Sequence, residues 1–151
     1  MTRRTRRASR LLRDDDGNAI IEFVYLAVLL MVPLVYVLLT VFRVQGAAYA
    51  VSSAAREAGR VYATSEVEED AYGRAFAAAS IVMADSGLEL SRGQLQIDCA
   101  ACLEPGSTVP VVIEYDVALP LLPRFLDGSA PASVQVTSHH LEVVDRFRAA
   151  P

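Results

Sequence analysis

The chain has 151 residues, 53% of them hydrophobic and 21% charged, with a formal net charge of −4. That length allows one small domain and not two, and the apolar share lies above the ~45–50% of ordinary soluble domains. The charge is partitioned, which argues against an ordinary soluble cytoplasmic enzyme. Residues 1–17 carry six arginines against three aspartates (+3), Glu22 adds −1, and from Arg43 onward eight arginines face fourteen acids (−6). All basic residues are arginine.

The first segment, Met1–Gly17, reads as a basic leader. It abuts an apolar run and has no interleaved aromatic residues, so a nucleic-acid-binding arm is the poorer reading. From Phe23 to Phe42, twenty residues pass without a charge, and fourteen of them are Leu, Val or Phe. A helix of that length rises ~30 Å, the hydrocarbon thickness of a bilayer. At roughly −0.3 to −0.6 kcal/mol each, those side chains favour insertion by about 4–8 kcal/mol, enough to outweigh Pro33 and two tyrosines. A soluble core of about 110 further residues could hardly wrap such a helix on every side. A secretory signal would have a shorter apolar run followed closely by a small-residue site, whereas Ala48-Tyr49-Ala50 comes well after Arg43. Arginine placement puts the N-terminus in the cytoplasm and the acidic remainder outside, with a single pass of the cytoplasmic membrane.

Beyond the span the helix continues. Ala47, Ala48, Val51, Ala54, Ala55, Ala58, Val61 and Tyr62 repeat at i, i+3/i+4. A helix over residues 18–63 would be ~69 Å long, a stalk whose small-residue face suits close packing on another helix. Ser65-Glu66-Val67-Glu68 predicts a capping box opening a second helix, with Glu69 and Asp70 favouring its dipole. Helix capping accounts for this acid cluster better than cation binding does. The second helix places Val67, Ala71, Tyr72, Ala75, Phe76, Ala79, Val82 and Met83 on one face, and Gly87 is its expected stop.

The period then changes to two, which predicts strands over Gln94–Asp98, Val109–Leu119 and Ser133–Val144. In the middle strand Val109, Val111, Ile113, Tyr115 and Val117 face one way and Glu114 and Asp116 the other. Leu103–Ser107 is a hairpin loop and Pro120–Pro131 a second loop. The expected fold is α+β: a long N-terminal membrane helix and stalk, a second helix, then a small antiparallel sheet. The organisation is leader 1–17, span and stalk 18–64, and an extracytoplasmic domain 65–151.

The residues that could carry chemistry are few. Cys99-Ala100-Ala101-Cys102 lies on the expected exterior, where disulfides persist, and reads first as a structural bridge. A redox pair would sit at a helix start in a βαβ setting; free thiols or a metal are the remaining alternatives. His139 and His140 are adjacent on a strand and point to opposite faces, a poor start for a shared zinc. Glu114 and Asp116 share a face without a partner to separate their pKa values for acid–base work. Neither a phosphate loop nor a nucleophile elbow is present, so the sequence predicts no enzyme, no cofactor and no metal site.

The most informative stretch is Gly17-Asn18-Ala19-Ile20-Ile21-Glu22-Phe23. A carboxylate at the mouth of a membrane helix is costly, up to ~3 kcal/mol if drawn to the centre, although a helix N-terminus favours it. Glycine, four residues, then Glu-Phe opening an apolar helix resembles the prepilin-peptidase site of type IV and Tad (Flp) pilins. That resemblance implies cleavage after Gly17, with Asn18 as the new N-terminus and Glu22 as the fifth mature residue. It further implies that Glu22 offsets the new ammonium of a neighbouring subunit. Asn18 and Glu22 are also i, i+4 within one chain.

With the single span and the run Ala54-Ala55-Arg56-Glu57-Ala58-Gly59-Arg60, the chain resembles the TadE-like family, pseudopilin-type components of the Tad pilus system. The likeness covers residues 13–64 best. The Cys99–Cys102 loop and following Pro-Gly are similar to members from high-GC Gram-positive lineages. The Arg-Glu run here continues Ala58-Gly59 where the family has Gly-Ala, so no detailed role carries over to it. A major Flp pilin is much shorter. The resemblance implies a pilin-like fold and a minor pilin or pseudopilin that assembles or primes a pilus. The partners implied are the membrane, a prepilin peptidase, other Tad pilins and the assembly platform, with incorporation into a surface pilus. The competing expectation is a permanently anchored extracytoplasmic binding module.

Overall fold

In a computed structural model the described residues are 15–99, 102–119 and 133–147, with only the backbone described for 15–18. The elements are α1 (Asp15–Ala63), α2 (Glu68–Asp85), a 3-10 turn (Arg92–Gln94), β1 (Leu95–Ile97), β2 (Thr108–Ala118) and β3 (Ser133–Val143). A long apolar helix, a second helix and an antiparallel sheet in the order β1-β2-β3 make an α+β arrangement. The chain forms two compact units, residues 1–39 and 40–151, with α1 contributing to both. The expected loop Pro120–Pro131 and nearly all of the leader lie outside the described residues.

The core of the second unit is built on alanine. From α1 come Ala50, Val51, Ala54, Ala55, Ala58, Tyr62 and Ala63, and from α2 Ala71, Ala75, Ala79 and Met83. The i, i+3/i+4 spacing is what directs these side chains into one stripe on each helix. Small side chains let a helix backbone approach its neighbours closely. The sheet supplies bulk instead: Val109, Val111, Ile113 and Val117 alternate inward along β2 and are fully or almost fully buried. Each such side chain contributes roughly 1.5–3 kcal/mol on burial.

α2 ends as the glycine predicts. Gly87 takes a positive φ of 71°, its N–H donates to the Ala84 carbonyl at 2.9 Å, and the Leu88 N–H donates to the Met83 carbonyl at 3.0 Å. That pair of bonds is a Schellman motif, and Leu88 packs against the cluster containing Met83. The start of α2 corrects the sequence reading. α2 begins at Glu68, its N-cap position is Val67, and no side chain caps it. The fully buried Ser65 donates its hydroxyl backward to the Val61 carbonyl at 2.8 Å, and Thr64 donates to the Arg60 carbonyl at 2.9 Å. A buried hydroxyl must find an acceptor, and the nearest orphan carbonyls are those at the end of α1. Glu68, Glu69 and Asp70 favour the α2 dipole without a capping box. Val67, expected on the apolar face, is 51% exposed.

Candidate functional site

Two places carry the residues singled out by the sequence. The first is the start of α1. Gly17 and Asn18 lie within the first turns of the helix, and Glu22 and Phe23 follow on the same unbroken helix, both side chains exposed. From Ile20 to Phe42 the exposed large hydrophobic side chains stand 42 to 73% accessible. In water such a surface forfeits the burial that stabilises the rest of the fold; in hydrocarbon it costs nothing. Among the described residues α1 is the one helix long and apolar enough to cross a membrane, and the most apolar stretch of it is wholly unburied. Pro33 sits inside it and has no N–H to donate to the carbonyl four residues earlier. Glu22 is the only acid between Ala19 and Phe42, and it follows Asp15 and Asp16 of the first turn of α1.

The second place is the β1–β2 hairpin. The sulfur atoms of Cys99 and Cys102 are at disulfide distance and their Cα atoms are 5.5 Å apart. Cys102 is buried in the core cluster and Cys99 packs beside it. The Ser107 hydroxyl donates to the Cys102 carbonyl and, at 2.7 Å, to the Glu104 carbonyl. Gly106, at φ 82°, makes the turn that an L side chain resists. The Val144 N–H then donates to the Ser107 carbonyl at 2.9 Å and the Gly106 N–H to the Val144 carbonyl at 3.1 Å. The hairpin loop is thereby tied to the end of β3. This is a structural clasp, placed at the end of a short strand and not at a helix start.

His139 and His140 point to opposite faces, as adjacent strand residues must. His139 is exposed, while His140 is half-buried with Nε2 2.9 Å from Glu142 Oε2. That pair lies against Gly59 of α1, where a Cβ would stand 3.1 Å from both Glu142 Cβ and His140 Cδ2. Beside it, the Arg60 guanidinium pairs with Glu57, whose carboxyl it holds below the ordinary range. A cavity of about 400 Å³ opens here, between Arg60, Thr64, Glu66, Glu142 and Asp145. Sequence reasoning missed this contact because it joins residues some eighty positions apart. It also missed Tyr72, whose hydroxyl lies 3.0 Å from the Arg92 carbonyl and 3.1 Å from that of Leu95, and Arg92 stacked 4.9 Å over Phe76. These fasten α2 to the sheet.

Comparison of the chain with protein-family models, curated proteins and solved structures returns no match. Among the described residues the fold defines a class with one membrane-competent helix whose C-terminal part is also the core helix of a small α+β unit.

Proposed function

We propose that this chain is a minor pilin or pseudopilin of a Tad-type pilus. A prepilin-type peptidase removes residues 1–17 on the cytoplasmic side, and the mature subunit then acts by helix packing and extraction from the membrane, not by catalysis. The observation that carries the reading is Glu22, the one acid between Asp16 and Glu57 on a helix whose apolar stretch runs on into the core of the α+β unit. Glu22 stands beyond the first turn of α1, where the helix dipole that favours a carboxylate has fallen off, so a purely anchoring helix gains little from it. A subunit that must register against a neighbour does gain, because the new ammonium of Asn18 is its complement. The peptidase brings its own catalytic groups close to the scissile backbone, and glycine leaves no Cβ in the way. The α+β unit, disulfide clasp included, lies outside the cytoplasmic membrane in this reading.

Intact-mass analysis of protein extracted from membranes of a host with a working prepilin-type peptidase tests it. The mature chain should begin at Asn18, and Gly17→Val should leave the full-length chain in the membrane. In Glu22→Ala cleavage should persist while assembly fails, since breaking one side of a buried charge pair costs roughly 3–5 kcal/mol, less near the headgroups. A mature chain that still begins at Met1 rejects the proposal and leaves an anchored binding module.

A further inference from the structure

Two exposed surfaces of the second unit complement each other. On α1, Tyr49, Arg56 and Arg60 fall within about 40° of one another around the helix axis. Tyr49 is 74% exposed, Arg56 is exposed, and the Arg60 side chain, although paired with Glu57 on its own helix, is 60% exposed. On the sheet, the alternation that buries Val109, Val111 and Ile113 sends Pro110, Val112, Glu114 and Asp116 of β2 to the opposite face. The register sets Leu141 of β3 beside Pro110 and Val143 beside Thr108. Leu141 and Val143 are 67% and 58% exposed, so one end of this outer face is apolar and the next stretch acidic.

The charges are sorted in the same way. Residues 40–63 hold three arginines against one glutamate (+2), whereas residues 64–151 hold five arginines against thirteen acids (−8). The spacings also match. Tyr49 lies about 10 Å along the helix from Arg56 and about 17 Å from Arg60. Pro110 lies about 13 Å along the strand from Glu114 and about 20 Å from Asp116. An aromatic ring laid on the apolar end therefore brings the two guanidinium groups over the two carboxylates.

We infer that the Tyr49–Arg56–Arg60 stripe of one copy docks on the outer sheet face of a second copy, the ring on Pro110, Leu141 and Val143 and the arginines on Glu114 and Asp116. The occupant is another copy of this chain because each copy carries both halves of the contact, and a single span confines copies to one membrane. The contact is heterologous, with different patches meeting head to tail, so it leaves a free patch at each end and propagates. It involves residues 49–143 only and stands whether or not the leader is removed, which is read separately from the mature N-terminus.

The test uses full-length chains labelled at the C-terminus with donor or acceptor dyes, mixed in detergent micelles and diluted. Wild-type chains should show concentration-dependent energy transfer that weakens with added salt. Arg56→Glu/Arg60→Glu and Glu114→Arg/Asp116→Arg should each raise the dissociation constant about tenfold or more when assayed alone. An equimolar mixture of the two variants should recover it to within about threefold of wild type, because every contact between unlike copies is again between opposite charges. Where circular dichroism shows that Arg60→Glu unfolds the unit, Arg56→Glu alone enters the same mixing experiment. No transfer between wild-type copies overturns the inference. Transfer unchanged in both variants places association in the span and also overturns it, as does a mixture no better than its components.

Discussion

Gly59 shows how one residue sets the spacing of a fold. Its missing Cβ lets α1 lie against β3, where Glu142 Cβ and His140 Cδ2 would each stand 3.1 Å from an added methyl and Val111 Cγ2 3.5 Å. Gly73 of α2 is also helical but has open space around it. Glycine to alanine in an exposed helix interior stabilises by about 0.5–1 kcal/mol through the unfolded chain and helix propensity. Gly73→Ala should gain that amount in chemical denaturation. Gly59→Ala should gain nothing and lose about 1 kcal/mol, and Gly59→Val more, because the obstructing Cβ belongs to a strand and cannot swing aside. Equal gains at both positions would show that the α1–β3 contact relaxes freely. Tyr62, a few residues on, is 5% exposed, and burial together with Glu68 raises its phenol above the ordinary value of 10.0. A raised folded-state pKa gives stability that is complete below the unfolded value and is lost as pH rises through the folded one. In an absorbance titration at the phenolate band, the difference between wild type and Tyr62→Phe should therefore be a transition above those of exposed tyrosines. It should coincide with the onset of alkaline unfolding. A difference transition at or below the ordinary range would contradict the burial of this side chain.

At the scale of elements, the hairpin clasp separates what chain entropy contributes from what hydrogen bonds contribute. A loop of about four residues closed by a disulfide is worth about 2 kcal/mol. Cys99→Ser/Cys102→Ser should cost about that much, leave α1 helical, and make stability insensitive to reductant. Ser107→Ala should cost roughly 1 kcal/mol more, since two loop carbonyls then lose their shared donor. Non-reducing peptide mapping and urea denaturation read both, and two freely alkylating thiols in the native chain would remove the first expectation. The elements themselves were largely legible because their patterns are local. The alternation of Val109 through Val117 placed β2 to within a residue at each end, and Gly87 located the end of α2. Ser65 misled, because its helix-capping chemistry serves the carbonyls of the preceding helix once burial, a tertiary property, selects its partner. Gly59, Tyr72 and Arg92 were opaque for the same reason: their roles are contacts across long stretches of sequence, and no period or spacing encodes them. That Gly17, Asn18, Glu22 and Phe23 fall on one helix with the apolar run was legible, since they lie within seven residues of one another.

For the whole molecule, the sorting of charge along the chain makes one demand on how it lies in a membrane. Six arginines precede the apolar run and only Arg43 directly follows it. Positive residues near a span are retained on the cytoplasmic side, while acidic residues exert little pull, so under the proposed function residues 1–17 would set orientation and the −6 carried from Arg43 onward would merely permit export. In the proposed topology the α+β unit, with its alanine core and paired cysteines, folds outside, where a disulfide would stay oxidised. A reporter active only outside the cytoplasm, fused after Pro151, should be active in the intact chain. Replacing Arg3, Arg4, Arg6, Arg7, Arg10 and Arg13 with glutamine should lower that activity and raise that of a cytoplasmic reporter at the same site. Replacing Arg74 and Arg92, which follow Phe42 by more than thirty residues in the sequence, should change neither. Cytoplasmic reporter activity from the unaltered fusion would reverse the topology. It would place the paired cysteines in a reducing compartment and remove the Gly17–Glu22 segment from the side on which a prepilin-type peptidase would cut.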